Sequence, residues 1–169
     1  DSLVGSEMCI RDSFEADHII GNYPLVYSSA DALILAEKSW DSWWFWNSDD
    51  SDEATNIHMF DISDPGTTDY IASGRVDGTI QDQFSLSEYQ GVLRVASTEG
   101  QWGRWWLDNP EPMTSNVVTL QPITDATGHT TLEQIGIIEG IAPNETIWSA
   151  RFVEDRAYIV TFENMDPLW

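Results

Sequence analysis

The residues of this chain with the most evident capacity for recognition are its tryptophans. Seven of the nine lie in two clusters: Trp40, Trp43, Trp44 and Trp46, with Phe45 among them, and Trp102, Trp105 and Trp106. An indole has a broad apolar face that stacks on the apolar face of a sugar ring, and a buried aromatic removes roughly 150–250 Å² from water. Turned outward, the clusters would bind polysaccharide or glycan. Turned inward, they would form the small cores of two inserted hairpins, because seven solvent-facing indoles invite aggregation. Directly after the first cluster come Asp49, Asp50, Asp52 and Glu53, hard oxygen donors of the kind that Ca²⁺ takes. The glycine turn and terminal bidentate Glu of a helix-loop-helix calcium loop are missing, so a solvated acidic loop stands beside calcium as a reading of this run.

Other chemistries find less support. His18, His58 and His129 share no spacing that puts two on one face, and Cys9 is the only cysteine, which leaves no thiolate metal cluster and no internal disulfide. His58, between Ile57 and Met59, reads as a strand residue with a local hydrogen bond. No serine occupies the Gly-flanked elbow of a hydrolase. Glu88 and Asp155 could pair as glycosidase carboxylates, but they align at the same hairpin position of successive repeats, where turn chemistry accounts for them. Asn144-Glu145-Thr146 satisfies the N-glycosylation acceptor pattern in a turn-like segment.

Composition narrows the partners. Seven basic residues stand against 29 acidic ones, for a formal charge of −22 and a pI near 4.1. Phosphate backbones and anionic membranes need clustered Lys and Arg, so nucleic acid is excluded. Lys38 is the one lysine, and an acid-rich, lysine-poor surface suits high salt, where screening removes self-repulsion; a halophilic or marine source is expected. No apolar run approaches the roughly 18 residues of a membrane-spanning helix, and no cofactor is called for beyond the calcium alternative.

From about residue 19 the chain is a succession of short apolar or alternating runs separated by Gly, Pro, Asp, Asn and Ser, the pattern of an all-β protein. The clearest are Ala32–Ala36, Ile57–Ile62, Tyr70–Val76, Val92–Ala96, Asn116–Leu120, Gln134–Ile138, Thr146–Val153 and Ala157–Phe162. Aligning Asp31–Ala36 with Gly91–Ala96 and Arg156–Thr161 gives offsets of 60 and 65 residues. A preceding strand recurs as Gln83–Glu88 and Ala150–Asp155, and each Trp cluster falls in the connection that follows the aligned strand. Four antiparallel strands per repeat, in repeats longer than about 40 residues, describe β-propeller blades. The fold expected is a partial β-propeller of two and a half four-stranded blades with Trp-rich insertions: residues 14–78 as the first blade, 79–141 as the second and 142–169 as the truncated start of a third. Residues 1–13 are expected to be foreign, since Glu7–Ser13 has the string of a translated library-adapter end. Removing Asp1, Glu7, Arg11 and Asp12 takes the charge from −22 to −20, so the argument from acidity stands.

Three stretches carry a family resemblance: Ile57–Pro65 (IHMFDISDP), Tyr70–Gly78 (YIASGRVDG) and Gln83–Thr98 (QFSLSEYQGVLRVAST), continued most specifically by Ile141–Phe152 and Asp155–Phe162 through to Asp166-Pro167-Leu168. Together they resemble archaeal and bacterial secreted proteins that carry a C-terminal β-propeller domain. The resemblance implies a propeller and export, with no catalytic set to carry over. The departures here are acidity and the Trp-rich insertions. The function expected is a non-enzymatic extracellular or cell-surface binding module that contacts glycan or protein through the Trp loops, the remaining blades of the same chain completing the disc. A secreted propeller enzyme acting on polysaccharide and a structural cell-envelope protein are the alternatives.

Overall fold

The structure is a computed structural model and describes residue 19 and residues 24–39, 53–100 and 112–163. Its elements are the strands β1 (Leu25–Ser28), β2 (Ala32–Lys38), β3 (Ala54–Asp61), β4 (Asp69–Asp77), β5 (Leu86–Tyr89), β6 (Val92–Glu99), β7 (Thr114–Thr124), β8 (Thr130–Ile141), β9 (Glu145–Val153) and β10 (Arg156–Glu163). A 3-10 turn, Gln83–Ser85, precedes β5. β1 to β4 pair in sequence order as an antiparallel meander, and β5 to β8 form a second. The two join at β4 and β8, where Ser73 faces Thr131 in a parallel bridge. Two meanders that repeat each other by rotation present their fourth strands in the same direction, so strands brought together there must run parallel. β9 and β10 form a separate hairpin. This is an all-β partial propeller, two complete blades and the first half of a third.

Both meanders carry a register shift at the same place, between Met59 and Phe60 on β3 and between Thr119 and Leu120 on β7. The shared bulge independently fixes the 60-residue offset. The second offset is corrected. Tyr89 pairs with Val92 and Val153 with Arg156, two hairpins closed by two-residue turns, which makes it 64 rather than 65. One residue matters because a slip of one turns every side chain to the opposite face. At 64, Leu93 corresponds to Ala157 and Val95 to Ile159, and Ile159 faces the preceding blade as Val95 does. The 3-10 turn is a further correction, since Gln83–Ser85 was expected to be strand. The Asp82 carboxylate accepts from the N–H groups of Phe84 and Ser85 at 2.9 and 3.1 Å, and this cap holds the backbone in a turn.

Alternation with period two supplies the cores. Ala32, Ile34 and Ala36 of β2, Ile57 and Met59 of β3, and Ala72 and Val76 of β4 meet Leu86, Leu93, Val95, Val118, Leu120 and Leu132 from the second meander. The opposite face of that meander offers Ala96 and Val117 to Ile147 and Ala150 of the hairpin. Arg94 projects across the same junction. Its guanidinium lies 5.1 Å from the ring centroids of Tyr89 and Phe152, donates to the Ser87 hydroxyl at 2.8 Å and donates to the Glu154 carbonyl. Arg151 stacks 3.9 Å from the Phe84 centroid. Each such contact is worth about 0.5–2 kcal/mol, more where water is excluded.

Leu93 is 0% exposed between the two meanders, so Leu93→Ala removes packing from both. A loss of about 3 kcal/mol in unfolding free energy is expected from a urea titration, the usual magnitude for a fully buried Leu truncation.

Candidate functional site

Strand direction sorts the connections into two ends. At one lie the tight turns between β1 and β2, β3 and β4, β5 and β6, β7 and β8, and β9 and β10; at the other lie the β2–β3 and β6–β7 connections and the links between blades. Both Trp-rich segments therefore leave from the second end. The first departs after the pair Lys38–Thr55 and the second after Glu99–Thr114. Trp40, Trp43, Trp44, Trp46, Trp102, Trp105 and Trp106 lie outside the described residues, as do Asp49, Asp50 and Asp52. Glu53 is described and sits directly before β3.

The link Gly78-Thr79 ties the two bases together. Gly78 N–H donates to the Glu53 carbonyl at 2.6 Å, and Thr79 and Thr98 exchange backbone hydrogen bonds of 2.8 and 3.0 Å. The Thr55 hydroxyl donates to the Gly78 carbonyl at 2.8 Å. One peptide link thus bonds on one side to the base of the first insertion and on the other to the strand that enters the second. Only glycine fits. Gly78 has φ +83°, and a Cβ there would lie 2.5 Å from the Thr98 carbonyl oxygen.

A buried polar network continues from this link. The Thr98 hydroxyl accepts from Ile147 N–H at 3.2 Å and lies 3.2 Å from the Ser115 hydroxyl, which donates to the Glu145 carbonyl at 3.5 Å. Asn116 donates to the Glu99 carboxylate at 2.9 Å and accepts from Gly140 N–H at 3.1 Å. Thr98, Ser115 and Asn116 are all buried. Sequence reasoning passes over them, because Thr, Ser and Asn in strands carry no periodic signal. The base of the second insertion is thereby fastened to the start of the third blade.

The remaining candidates have local tasks. Glu88 lies in β5 opposite Leu93, while Asp155 follows β9 in its turn, so the two do not share one hairpin position. The Glu88 carboxylate accepts from Gly91 N–H at 2.8 Å and from the Ser29 hydroxyl at 3.0 Å, latching the β1–β2 turn of the first blade to β5 of the second. His58 finds its partner in Ser73, with Nδ1 2.5 Å from Oγ, and Tyr70 donates to the same hydroxyl at 2.8 Å. His129 closes the β7–β8 turn through its N–H, which donates to Asp125 at 3.0 Å. Among the described residues no group of three His, Cys, Asp or Glu is arranged to hold a metal ion, and no helix is long and apolar enough to cross a membrane.

A family model described as "Beta propeller domain" matches residues 6–169. The chain belongs to the beta propeller domain family. Within curated proteins, this propeller chain is 37% identical over 98 residues to an uncharacterised protein of Methanocaldococcus jannaschii, covering 58% of the chain and 14% of that protein. It is 34% identical over 94 residues to an uncharacterised protein of Archaeoglobus fulgidus, covering 56% and 12%. The propeller segment thus spans about a seventh or less of these relatives. No solved structure matches it.

Gly91 also has a positive φ, +77°, but open space around it. Gly91→Ala is expected to cost about 1 kcal/mol for the left-handed backbone alone, and Gly78→Ala at least twice that, read as urea midpoints of the two variants side by side. At the tight-turn end, the Ser63 hydroxyl and N–H hold the Asp61 carboxyl below its ordinary range. Thr127, through its hydroxyl, and then the N–H groups of His129 and Thr127 do the same for Asp125. A lowered folded pKa gives stability that is complete above the ordinary Asp value, about 3.9, and is lost as pH falls through the folded value. The double variant Asp61→Asn with Asp125→Asn should therefore lose less melting temperature than the parent between about pH 5 and about pH 2.

Proposed function

We propose that this chain is part of an extracellular, non-catalytic propeller module that binds a cell-surface glycan or protein through the loops at one end of its blades. The observation that supports the reading is the common base. Two Trp-rich segments leave from equivalent strand ends of successive blades, and a single glycine link bonds to both bases. Neighbouring loops on a rigid support are the usual arrangement of a binding surface, and indoles at that place suit stacking on sugar rings. Blade limits of 14–78, 79–141 and 142–169 accompany the proposal. The acidic, lysine-poor composition favours a saline exterior, where close screening of surface charge keeps such a module compact.

The test is binding to an array of polysaccharides and cell-surface glycans at high salt, with Trp43, Trp44, Trp105 and Trp106 replaced together by Ala. The expected outcome is retention of the parent on at least one glycan class, at least a tenfold loss in the quadruple variant, and an unchanged far-ultraviolet spectrum. Equal retention by the variant overturns the reading, and release of shortened glycan by the parent replaces it with an enzymatic one.

A further inference from the structure

The connection from β8 to β9 carries a feature that the binding reading leaves unused. We propose that Asn144 is an N-glycosylation acceptor on the same end of the blades as the Trp-rich segments. Asn144-Glu145-Thr146 is the only Asn-x-Ser/Thr triplet in the chain, and its middle residue is not Pro, whose ring would prevent the acceptor loop from forming. Asn144 is exposed in the left-handed region at φ +69°. Its N–H donates to the Met113 carbonyl at 2.8 Å, so the turn is pinned by its backbone to the base of the second insertion.

The side chain separates this residue from the other turn formers of the chain. Asp61, Asp64, Asp82 and Asp125 each turn a carboxylate back onto the backbone N–H two residues ahead, as Asx residues do when their role is local. The Asn144 carboxamide makes no such bond, and among the described residues it has no hydrogen-bond partner. Turn geometry explains an Asn at this φ; it does not explain a carboxamide left open to solvent two residues before a Thr. Thr146 is half-buried in β9 opposite Phe162.

The donor required is an oligosaccharide activated at C1 by a lipid-linked pyrophosphate. The Asn144 amide nitrogen attacks C1, the C1–N bond forms as the C1–O bond to phosphate breaks, the amide proton passes to a base of the transferase, and the lipid pyrophosphate leaves. No electrons change hands. The attached sugar would project from the insertion end, beside the base of the second Trp-rich segment.

Glycosylation in the native cell rests on the extracellular reading, so the experiment supplies its own export. The chain is fused to a heterologous secretion signal, produced in a host that N-glycosylates secreted proteins, and its intact mass is measured before and after enzymatic removal of N-glycans. The parent and Thr146→Ser are expected to carry one removable glycan. Asn144→Gly, which keeps the left-handed turn, and Thr146→Val, which keeps the strand shape, should carry none. Asp125→Asn creates Asn-Ala-Thr in the exposed β7–β8 turn and is expected to add a second glycan, showing that the secreted chain meets the transferase. A parent that stays unmodified while Asp125→Asn gains one glycan overturns the proposal. Failure of the native protein to leave its own cell would instead sink the extracellular reading and leave this result as it stands.

Discussion

The second meander has to bury two faces at once, and the rest of the structure depends on how β6 and β7 meet that demand. On β6, Leu93 and Val95 point to the first blade while Ala96 points to the third; on β7, Val118 and Leu120 go one way and Val117 the other. A four-stranded sheet with a single apolar face would be satisfied by one neighbour. This one requires two, and the same requirement then passes to the hairpin beyond it, whose outer side carries Trp148, Tyr158, Val160 and Phe162 at more than half exposure. Repetition in such a fold follows from burial, because each sheet is the cover of the one before it.

Face-to-face burial fixes the spacing between blades but not their rotation about the stacking direction, and that is set at the ends. At the tight-turn end Glu88 reaches Ser29 and its own hairpin. At the insertion end the Gly78–Thr79 link and the Thr98–Ser115–Asn116 network bond each blade to the next. Arg94 and Arg151 contribute a third constraint, two cations over aromatic rings that bridge the second and third blades from opposite sides of the junction. In a chain with seven basic residues, two serving one interface is a substantial share of its positive charge.

How much of this is legible in the sequence depends on the length scale of the signal. The all-β class and the 60-residue repeat are legible because apolar alternation and turn residues recur along many positions, so a local ambiguity is outvoted. The offset between the second and third blades is legible only to within one residue, since Gly91-Val92 and Arg156-Ala157 look equally suited to follow a turn; only the pairing of Val153 with Arg156 decides it. The 3-10 turn at Gln83–Ser85 is hidden because Phe84 and Leu86 flank a serine in strand-like alternation, and the cap that overrides it comes from Asp82, outside the apparent run. In the candidate site, the Trp segments announce themselves by composition. Their bases do not, because Gly78, Thr98, Ser115 and Asn116 act through backbone geometry and hydrogen bonds that bring together residues distant in sequence.

Acidity and fold are separate properties of this molecule. Among the described residues, the buried polar side chains are Thr55, Ser85, Ser97, Thr98, Ser115 and Asn116, all neutral, so no described carboxylate lies in the cores. Several of those carboxylates nevertheless have fixed partners: Asp61 and Asp125 organise turns, Asp82 caps one, Glu88 latches two blades and Glu99 holds Asn116. Each of these contacts is a hydrogen bond of 2.8–3.1 Å to a neutral donor, a kind of interaction that salt weakens little, whereas the mutual repulsion of the remaining exposed charges acts over distances that salt screens to about 3 Å at 1 M. Rising ionic strength therefore removes the unfavourable part of the electrostatics and spares the favourable part. The same division explains why so acidic a surface is compatible with a fold whose stability comes from apolar sheets pressed face to face.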